Sequence, residues 1–138
     1  MSASSTAIDA LPEAECLALI KTMSVGRVAY SDRALPVVVP VNFAVDGRDI
    51  VIRTARRSRL AGAARGTVIA FEVDDIDVPR RSGWSVVMTG RIELVDDPAE
   101  IAGLEKLELD SWTGEGVDVF VRLRADILTG RRVRSTLP

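Results

Sequence analysis

The chain has 138 residues, of which 18 are basic and 20 acidic, giving a formal net charge of −2. This balance provides no overall positive field that would recruit nucleic acid, and the longest apolar runs, such as Val37 to Val41, are far too short to cross a bilayer. The sequence contains no histidine, which excludes Ser–His and Cys–His nucleophile pairs and every histidine-containing metal site.

The length and composition of the chain predict a single domain over residues 1–138, with residues 1–8 as a flexible terminus. We expect a cytoplasmic protein, because the first residues lack a basic start followed by an apolar core. The single cysteine, Cys16, permits no disulfide within the chain and is interpreted as a small buried apolar residue. No metal site is predicted, so enzymatic reactivity would come from a bound organic cofactor.

The first half of the chain predicts one helix followed by three strands. The helix starts at Pro12, which suits a first helical turn, and apolar residues recur at helical spacing to about Met23. Pro40 cannot donate a ladder hydrogen bond, so its strand is expected at an edge or bulged there. Asp46-Gly47 is a strong hairpin signal. The predicted strands, expected to form an antiparallel meander, are Val25–Tyr30, Leu35–Val45 and Asp49–Thr54.

The second half predicts two more helices and three more strands. Ser58 is expected to cap a short helix ending near Arg65, and Asp97 to cap one with Pro98 in its first turn. Gly90, inside a long strand, indicates a bend or bulge of the kind that barrel closure requires. The strands are Thr67–Val73, Gly83–Val95 and Val117–Leu128, with a polar connection at 74–81 and a loop at 114–116. Six strands and three helices fit one antiparallel barrel.

The segment from Arg53 to Leu60 is the first candidate binding site, because it leaves a strand and enters a helix. Thr54 and Ser58 supply hydroxyls there, and Arg53 and Arg59 supply guanidinium groups, which hold phosphate through paired hydrogen bonds. The alternative is a solvated basic turn that balances nearby carboxylates.

Two further segments carry polar groups among apolar neighbours. Trp84 and Ser85 begin a strand, where the indole could contact a flat ring or fill the core at a barrel rim. Asn42, after Pro40 and Val41, could hydrogen-bond a heterocycle or satisfy backbone groups left free by the proline.

Two charged groups complete the candidates. Glu72 and Asp74 point to one face of a strand, where they could form an acid–base pair or an ion pair with an arginine. The tail from Arg131 to Arg134 could reach an anionic ligand or a partner subunit, or it could be solvated.

In order and spacing, these motifs resemble the pyridoxamine 5′-phosphate oxidase-like flavin-binding split barrels, over about residues 10–134. The resemblance rests on Pro40-Val41-Asn42, on Arg53-Thr54 with Ser58-Arg59, on Gly83-Trp84-Ser85-Val86 ending in Thr89-Gly90, and on Gly130-Arg131-Arg132. It also includes Gly26-Arg27 and Phe71-Glu72-Val73-Asp74.

The resemblance implies a mainly β fold with flanking helices, an antiparallel six-stranded split β-barrel that forms a homodimer with FMN in the groove between subunits. Arg53, Thr54, Ser58 and Arg59 would then hold the phosphate. Pro40, Val41 and Asn42 would approach the flavin ring, and Trp84 and Ser85 would line the same groove, from the same or the other subunit.

The sequence also departs from characterised relatives, because it lacks the histidines on which several of their reactions depend. No catalytic side chain is predicted. The leading hypothesis is an FMN-dependent oxidoreductase that passes hydride to or from a nicotinamide or another small-molecule redox substrate. The alternatives are a deazaflavin-dependent reductase, with Arg56, Arg57 and Arg131 near an acidic cofactor tail, and a flavin carrier or sensor without turnover.

Overall fold

The computed structural model describes residues 6–111 and 116–136, and these residues form one antiparallel sheet of eight strands with three short helices. The strands are β1 (Thr6–Ala10), β2 (Val25–Asp32), β3 (Leu35–Asn42), β4 (Ala44–Asp46), β5 (Asp49–Ala55), β6 (Arg65–Asp77), β7 (Ser82–Leu94) and β8 (Asp118–Ser135). The helices are α1 (Glu13–Ile20), α2 (Arg59–Ala63) and α3 (Pro98–Glu105). In the described part of the chain, no helix is long and apolar enough to span a membrane.

The strands follow the order β3-β2-β6-β7-β8-β5-β4, and β1 adds to the far end of β8. The sheet curls until β3 and β5 approach each other, and its inner face encloses the main core. Val28, Phe71, Met88 and Leu123, from four different strands, are fully buried there. The predicted class, a mainly β split barrel with flanking helices, is confirmed, although the structure has eight strands rather than the six predicted.

The predicted three-strand meander is wrong. The run Leu35–Val45 is broken at Phe43, whose backbone N–H donates to the Ser24 carbonyl and whose ring packs edge-on against Phe71. As a result β3 pairs only with β2, whereas β4 pairs with β5 at the opposite end of the strand order. Pro40 does lie on an edge strand, as predicted, since β3 is the last strand of the order.

Three predicted boundaries shift because strands continue into segments without apolar alternation. β1 includes residues 6–8 of the predicted flexible terminus and pairs with β8 from Ser135 to Arg131, so the predicted tail is strand. β6 extends through Asp77 into the predicted polar connection, opposite Ser82. Residues 1–5 and 112–115, which include part of the predicted loop, lie outside the described residues.

The helix caps and the hairpin were predicted from local signals and are confirmed. The Ser58 side chain accepts a hydrogen bond from Ala61 N–H, and Asp97 caps α3 at the Glu100 N–H. The β4–β5 turn contains Gly47 at φ 63°, between the paired residues Asp46 and Asp49. The helices are shorter than predicted: α1 ends at Ile20, and α2 at Ala63.

A second, smaller core lies on the other side of β5 and β8, under α3. It contains Val51, Phe120 and Leu104. Beside it the buried Arg122 guanidinium donates to carboxylates from three elements: Asp46 at 2.9 Å, Asp49 at 3.2 Å and Glu100 at 2.9 Å. These bonds tie the β4–β5 hairpin and α3 to β8. The outward side of β8 is therefore partly buried at this end of the strand.

Gly90 is the position where the β7–β8 ladder changes register, and it is close to the opposite backbone. A Cβ atom at this position would overlap the Arg124 carbonyl oxygen. We expect Gly90→Ala to lower the free energy of unfolding by about 1–3 kcal/mol or more, as overpacking does, measured by urea denaturation. Gly103→Ala in α3 meets nothing within 4 Å and should instead raise stability by about 0.5–1 kcal/mol. Equal effects of the two substitutions would contradict the bulge assignment.

Candidate functional site

A cavity of about 470 Å³ opens between the edge strand β3 and the β5–α2 turn. Its lining contains seven predicted site residues, from β3 and from the β5–α2 turn, and four residues that were given no binding role in the sequence analysis. The lining residues are Tyr30, Val37, Val39, Pro40, Val41, Asn42, Arg53, Thr54, Ser58, Arg59 and Leu60. Seven of the nine predicted site residues therefore meet at one place, although β3 and β5 are not hydrogen-bonded neighbours.

Strand alternation explains the apolar wall of this cavity. Val37, Val39 and Val41 occupy every second position of β3 and are half-buried on its inner face. Leu60 closes the opposite side from the first turn of α2. These four residues give a surface suited to a flat, largely apolar ring. The signal that could have identified Val37 and Val39 is the period-two pattern of β3 itself.

The Thr54 hydroxyl donates a hydrogen bond within the protein, and the Ser58 oxygen accepts two there. Thr54, 2% exposed, donates its hydroxyl to Ser58 Oγ at 2.9 Å. The same oxygen accepts the Ala61 backbone N–H at 3.0 Å. These bonds fix the turn from β5 into α2. They also mean that the predicted phosphate-side hydroxyls stabilise the turn in this structure.

Arg53 borders the cavity, but its guanidinium is held on the side of the second core. Its Nε atom lies 3.3 Å from Asp118 Oδ2, and Nη1 donates to the Leu109 carbonyl at 3.4 Å. The Phe120 ring lies 5.3 Å from the guanidinium carbon, a cation–π contact. Arg53 thus also lines a neighbouring cavity of about 360 Å³.

Arg59 is the more available cation. Its side chain is 76% exposed, and its Nε atom lies 3.6 Å from Asp32 Oδ2. An exposed ion pair of this length contributes little to stability. The guanidinium can therefore exchange Asp32 for an anionic ligand at small cost.

Trp84 and Ser85 do not reach this cavity within one chain. Trp84 is 6% exposed and lies in the main core, as its core interpretation predicted. Ser85 points to the other face of β7 and accepts a hydrogen bond from Arg131 Nε at 3.4 Å, beside a separate cavity of about 260 Å³. Adjacent residues of a strand face opposite sides of the sheet, so the two cannot line one groove of the same subunit.

The remaining arginines are dispersed. Arg56 and Arg57 line a cavity of about 500 Å³, whereas Arg131 lies beside Ser85, so one chain does not bring the three together. In the predicted tail, Arg132 pairs with Glu15 and Arg134 with Asp9.

Glu72 and Asp74 form an ion-pair cluster with Arg27 on the outer face of the sheet. Arg27 Nη1 lies 3.8 Å from each carboxylate, which confirms the ion-pair interpretation. Burial, and secondarily the adjacent Asp74, raise the pKa of Glu72 to about 7, against the opposing effect of Arg27. With this pKa, the Glu72 carboxyl gains or loses its proton near neutral pH.

The comparisons with known proteins agree on one family. The family model for pyridoxamine 5′-phosphate oxidase matches residues 12–132. The uncharacterised protein Rv0080 of Mycobacterium tuberculosis is 38% identical over 125 residues, covering 86% of this chain and 81% of that protein.

Two solved structures extend the match to the fold. The FAD binding protein of Mycobacterium smegmatis is 34% identical, with a TM-score of 0.77 over 91% of this chain and 97% of its own. A protein of Corynebacterium glutamicum, provisionally designated a pyridoxamine 5′-phosphate oxidase, is 31% identical, with a TM-score of 0.82 over 95% and 96% of the two chains. The curled sheet, open between β3 and β5, thus defines a split-barrel protein. The chain belongs to the pyridoxamine 5′-phosphate oxidase family.

The raised pKa of Glu72 predicts that the free energy of unfolding depends on pH. Its pKa is about 7 in the folded chain, against a reference of 4.5, so the folded state binds more protons between these values. Stability must then fall as pH rises from 4.5 through about 7 and level off above it. Because the group is a third exposed, we expect a loss of about 1 kcal/mol at most.

Thermal unfolding measured across this pH range tests the prediction. Glu72→Gln should be more stable than the wild type at pH 8 and should lose less stability between pH 5 and pH 8. Glu105→Gln, an exposed site in α3, serves as the control and should follow the wild-type profile. A Glu72→Gln profile parallel to the wild type would refute the assignment.

Proposed function

We propose that this protein binds a flavin nucleotide in the cavity between β3 and the β5–α2 turn and acts as a flavin-dependent oxidoreductase. Its substrate would be a nicotinamide or another small organic redox molecule. The observation that carries the proposal is the meeting of Asn42, Arg59 and the valine wall of β3 in one cavity. The family membership and the FAD binding protein of M. smegmatis, at 34% identity, support it.

The residues of the cavity fit such a ligand. Its volume, about 470 Å³, lies in the range of small-molecule sites, and an apolar wall with few polar groups is typical of them. The valines of β3 and Leu60 would contact the ring faces. No hydrogen bond to the Asn42 side-chain amide is found among the described residues, so this amide can bond the polar edge of a ring. Arg59 would take the phosphate that FMN and FAD share.

A bound flavin supplies hydride chemistry, and the protein positions the ring and its substrate. The apolar wall excludes water from the ring faces, and Arg59 neutralises the phosphate charge. Because hydride transfer needs no protein base, a chain without histidine is compatible with this activity. FMN is the proposed cofactor, with FAD and a deazaflavin as the outcomes against which it is tested.

We also propose that the active form is a homodimer joined through the outer face of the sheet. On that face, five residues that are paired in turn across neighbouring strands form a row without a charged residue. From β3 through β2, β6 and β7 to β8 they are Val38, Ala29, Ala70, Thr89 and Ile127. Val38 is 64% and Ile127 59% exposed, an apolar surface of the kind that marks an interface. Ser85 lies on the same face, so dimerisation would carry it toward the groove of the other subunit.

The cofactor assignment predicts that the purified protein shows flavin absorption, and that Arg59 contributes to its retention. Arg59→Ala should lower FMN affinity about 10-fold or more, as loss of a charge-assisted hydrogen bond does, while the melting temperature stays near the wild type. Arg80→Ala is the matched control, because Arg80 is 84% exposed and pairs with Asp77 at 3.7 Å, much as Arg59 pairs with Asp32. Titration calorimetry or flavin fluorescence measures both affinities.

The released chromophore identifies the cofactor. FMN in the supernatant after denaturation supports the proposal, whereas FAD, or binding of a deazaflavin but not FMN, would replace the named cofactor. Bleaching of the bound flavin by NADH or NADPH without oxygen supports an oxidoreductase. A flavin that no nicotinamide reduces and that does not react with oxygen would indicate a carrier or sensor. Equal FMN affinity of the two arginine variants would exclude Arg59 from the site.

The dimer proposal predicts that a charge in the middle of the row separates the subunits. Ala70→Arg should shift the sedimentation mass from about two chains to one, since a buried unpaired charge at an interface is costly. Ala102→Arg, at an exposed position of α3 away from this face, should leave the mass unchanged. A monomeric wild type, or a dimer that survives Ala70→Arg, would refute the interface.

A further inference from the structure

Tyr30 is the only tyrosine of the chain, and it occupies a boundary between two cavities. Its ring lies on the inner side of β2 and belongs to the main core. The residue lines the 470 Å³ cavity and also an adjoining one of about 290 Å³, which Asp32 and Thr67 border from β2 and β6. Arg59 is the other residue shared by both cavities. Tyr30 and Arg59 thus lie between the candidate site and the adjoining cavity, which has a larger share of polar lining residues.

The Tyr30 hydroxyl has no protein partner among the described residues. The residue is only 8% exposed, yet no hydrogen bond to its oxygen is found there. The oxygen itself is not fully buried, because it is not among the fully buried polar atoms that lack a partner in the described part of the chain. A buried tyrosine usually satisfies its hydroxyl. Since Tyr30 lines both cavities, its oxygen is open to a partner from outside the chain.

We propose that the Tyr30 hydroxyl donates a hydrogen bond to an acceptor on the planar ligand of the cavity, a ring carbonyl oxygen or an unprotonated ring nitrogen. Tyr30 is thereby a specificity-determining residue that fixes how deeply and in which orientation the ring enters. The inference rests on the proposed function, because it takes the same cavity as the ligand site.

The surroundings of Tyr30 favour the protonated phenol, which can donate a hydrogen bond. Burial and the nearby Asp32 carboxylate raise the pKa of the phenol above its ordinary value, and Arg59 opposes them. The group therefore keeps its proton at neutral pH and presents it to an acceptor. A ligand carbonyl would satisfy a polar group that otherwise costs free energy when it is cut off from water.

The other polar groups of the cavity leave one edge of the ligand ring for the Tyr30 hydroxyl to bond. The Thr54 hydroxyl donates to Ser58 Oγ, which also accepts the Ala61 N–H, and Arg53 is held beside Asp118. Asn42 stands at the end of β3, whereas Tyr30 stands on β2, so the two would bond different edges of one ring.

Two conservative variants test the role, each removing one hydroxyl. Tyr30→Phe keeps the ring and its packing, and we expect it to lower the affinity for added FMN and FAD about 3- to 10-fold, as loss of one hydrogen bond does. It should also shift the visible absorption bands of the bound flavin. Thr67→Val, in the adjoining cavity only, should leave both affinity and bands at wild-type values. Circular dichroism and melting temperature establish that both variants fold.

A second measurement does not depend on a variant. Because the chain has one tyrosine, labelling with ¹³Cζ-tyrosine gives a single phenol resonance whose titration reports Tyr30. We expect its midpoint to lie above the ordinary tyrosine value in the free protein and to rise further with FMN bound, since ionisation removes the donor. By linkage, a 10-fold difference in affinity corresponds to a rise of about one pH unit.

The outcomes separate this inference from the proposed function. If the wild type binds neither FMN nor FAD, the proposed function fails first. If the wild type binds flavin, and Tyr30→Phe retains its affinity and absorption bands while the phenol midpoint is unmoved by FMN, then Tyr30 does not bond the ligand and only the present inference is overturned.

Discussion

The long pairing of β7 with β8 is the constraint on which the rest of the structure depends. The ladder runs from Gly83 opposite Val133 to Leu94 opposite Val121, and it changes register at Thr89/Gly90. The other edge of β8 pairs with β5 at residues 118–123 and with β1 at residues 131–135. Because β5 and β3 then occupy opposite sides of the curled sheet, their inner faces meet across a cavity. A Cβ at Gly90 would overlap the Arg124 carbonyl oxygen, so glycine at this position lets the backbones of β7 and β8 approach each other.

Carboxylates pair with both arginines that line the cavity, Arg53 and Arg59, and with the buried Arg122 outside it. Arg122 takes three of them and secures the β4–β5 hairpin against β8. Arg53 is paired with Asp118 on the side of the second core, and Arg59 is paired with Asp32. The three differ in exposure, and exposure decides what each can do. A buried guanidinium that loses its partners leaves charges without solvent, so Arg122 is structural, whereas the exposed Arg59 can change partners.

The cavity combines one rigid apolar wall with very few polar groups that are open to a ligand. Among the described residues, the hydroxyls of Thr54 and Ser58 serve the turn, and the Tyr30 hydroxyl and the Asn42 amide remain without protein partners. This division suits a ring-shaped ligand whose faces need apolar contact and whose edges need one or two directed hydrogen bonds.

The sequence by itself determined the features that depend on residues a few positions apart. The caps at Ser58 and Asp97, the Asp46-Gly47 turn, the irregularity at Gly90 and both site segments could all be identified from such local chemistry. Only the tertiary structure decided which strands pair, that Phe43 divides a predicted strand, and that Asp118 faces Arg53. The tertiary structure also showed that the single tyrosine lines the site. The physical reason is that strand pairing and burial depend on contacts between distant segments, whose free energies sum over the whole sheet, and no local periodicity records them.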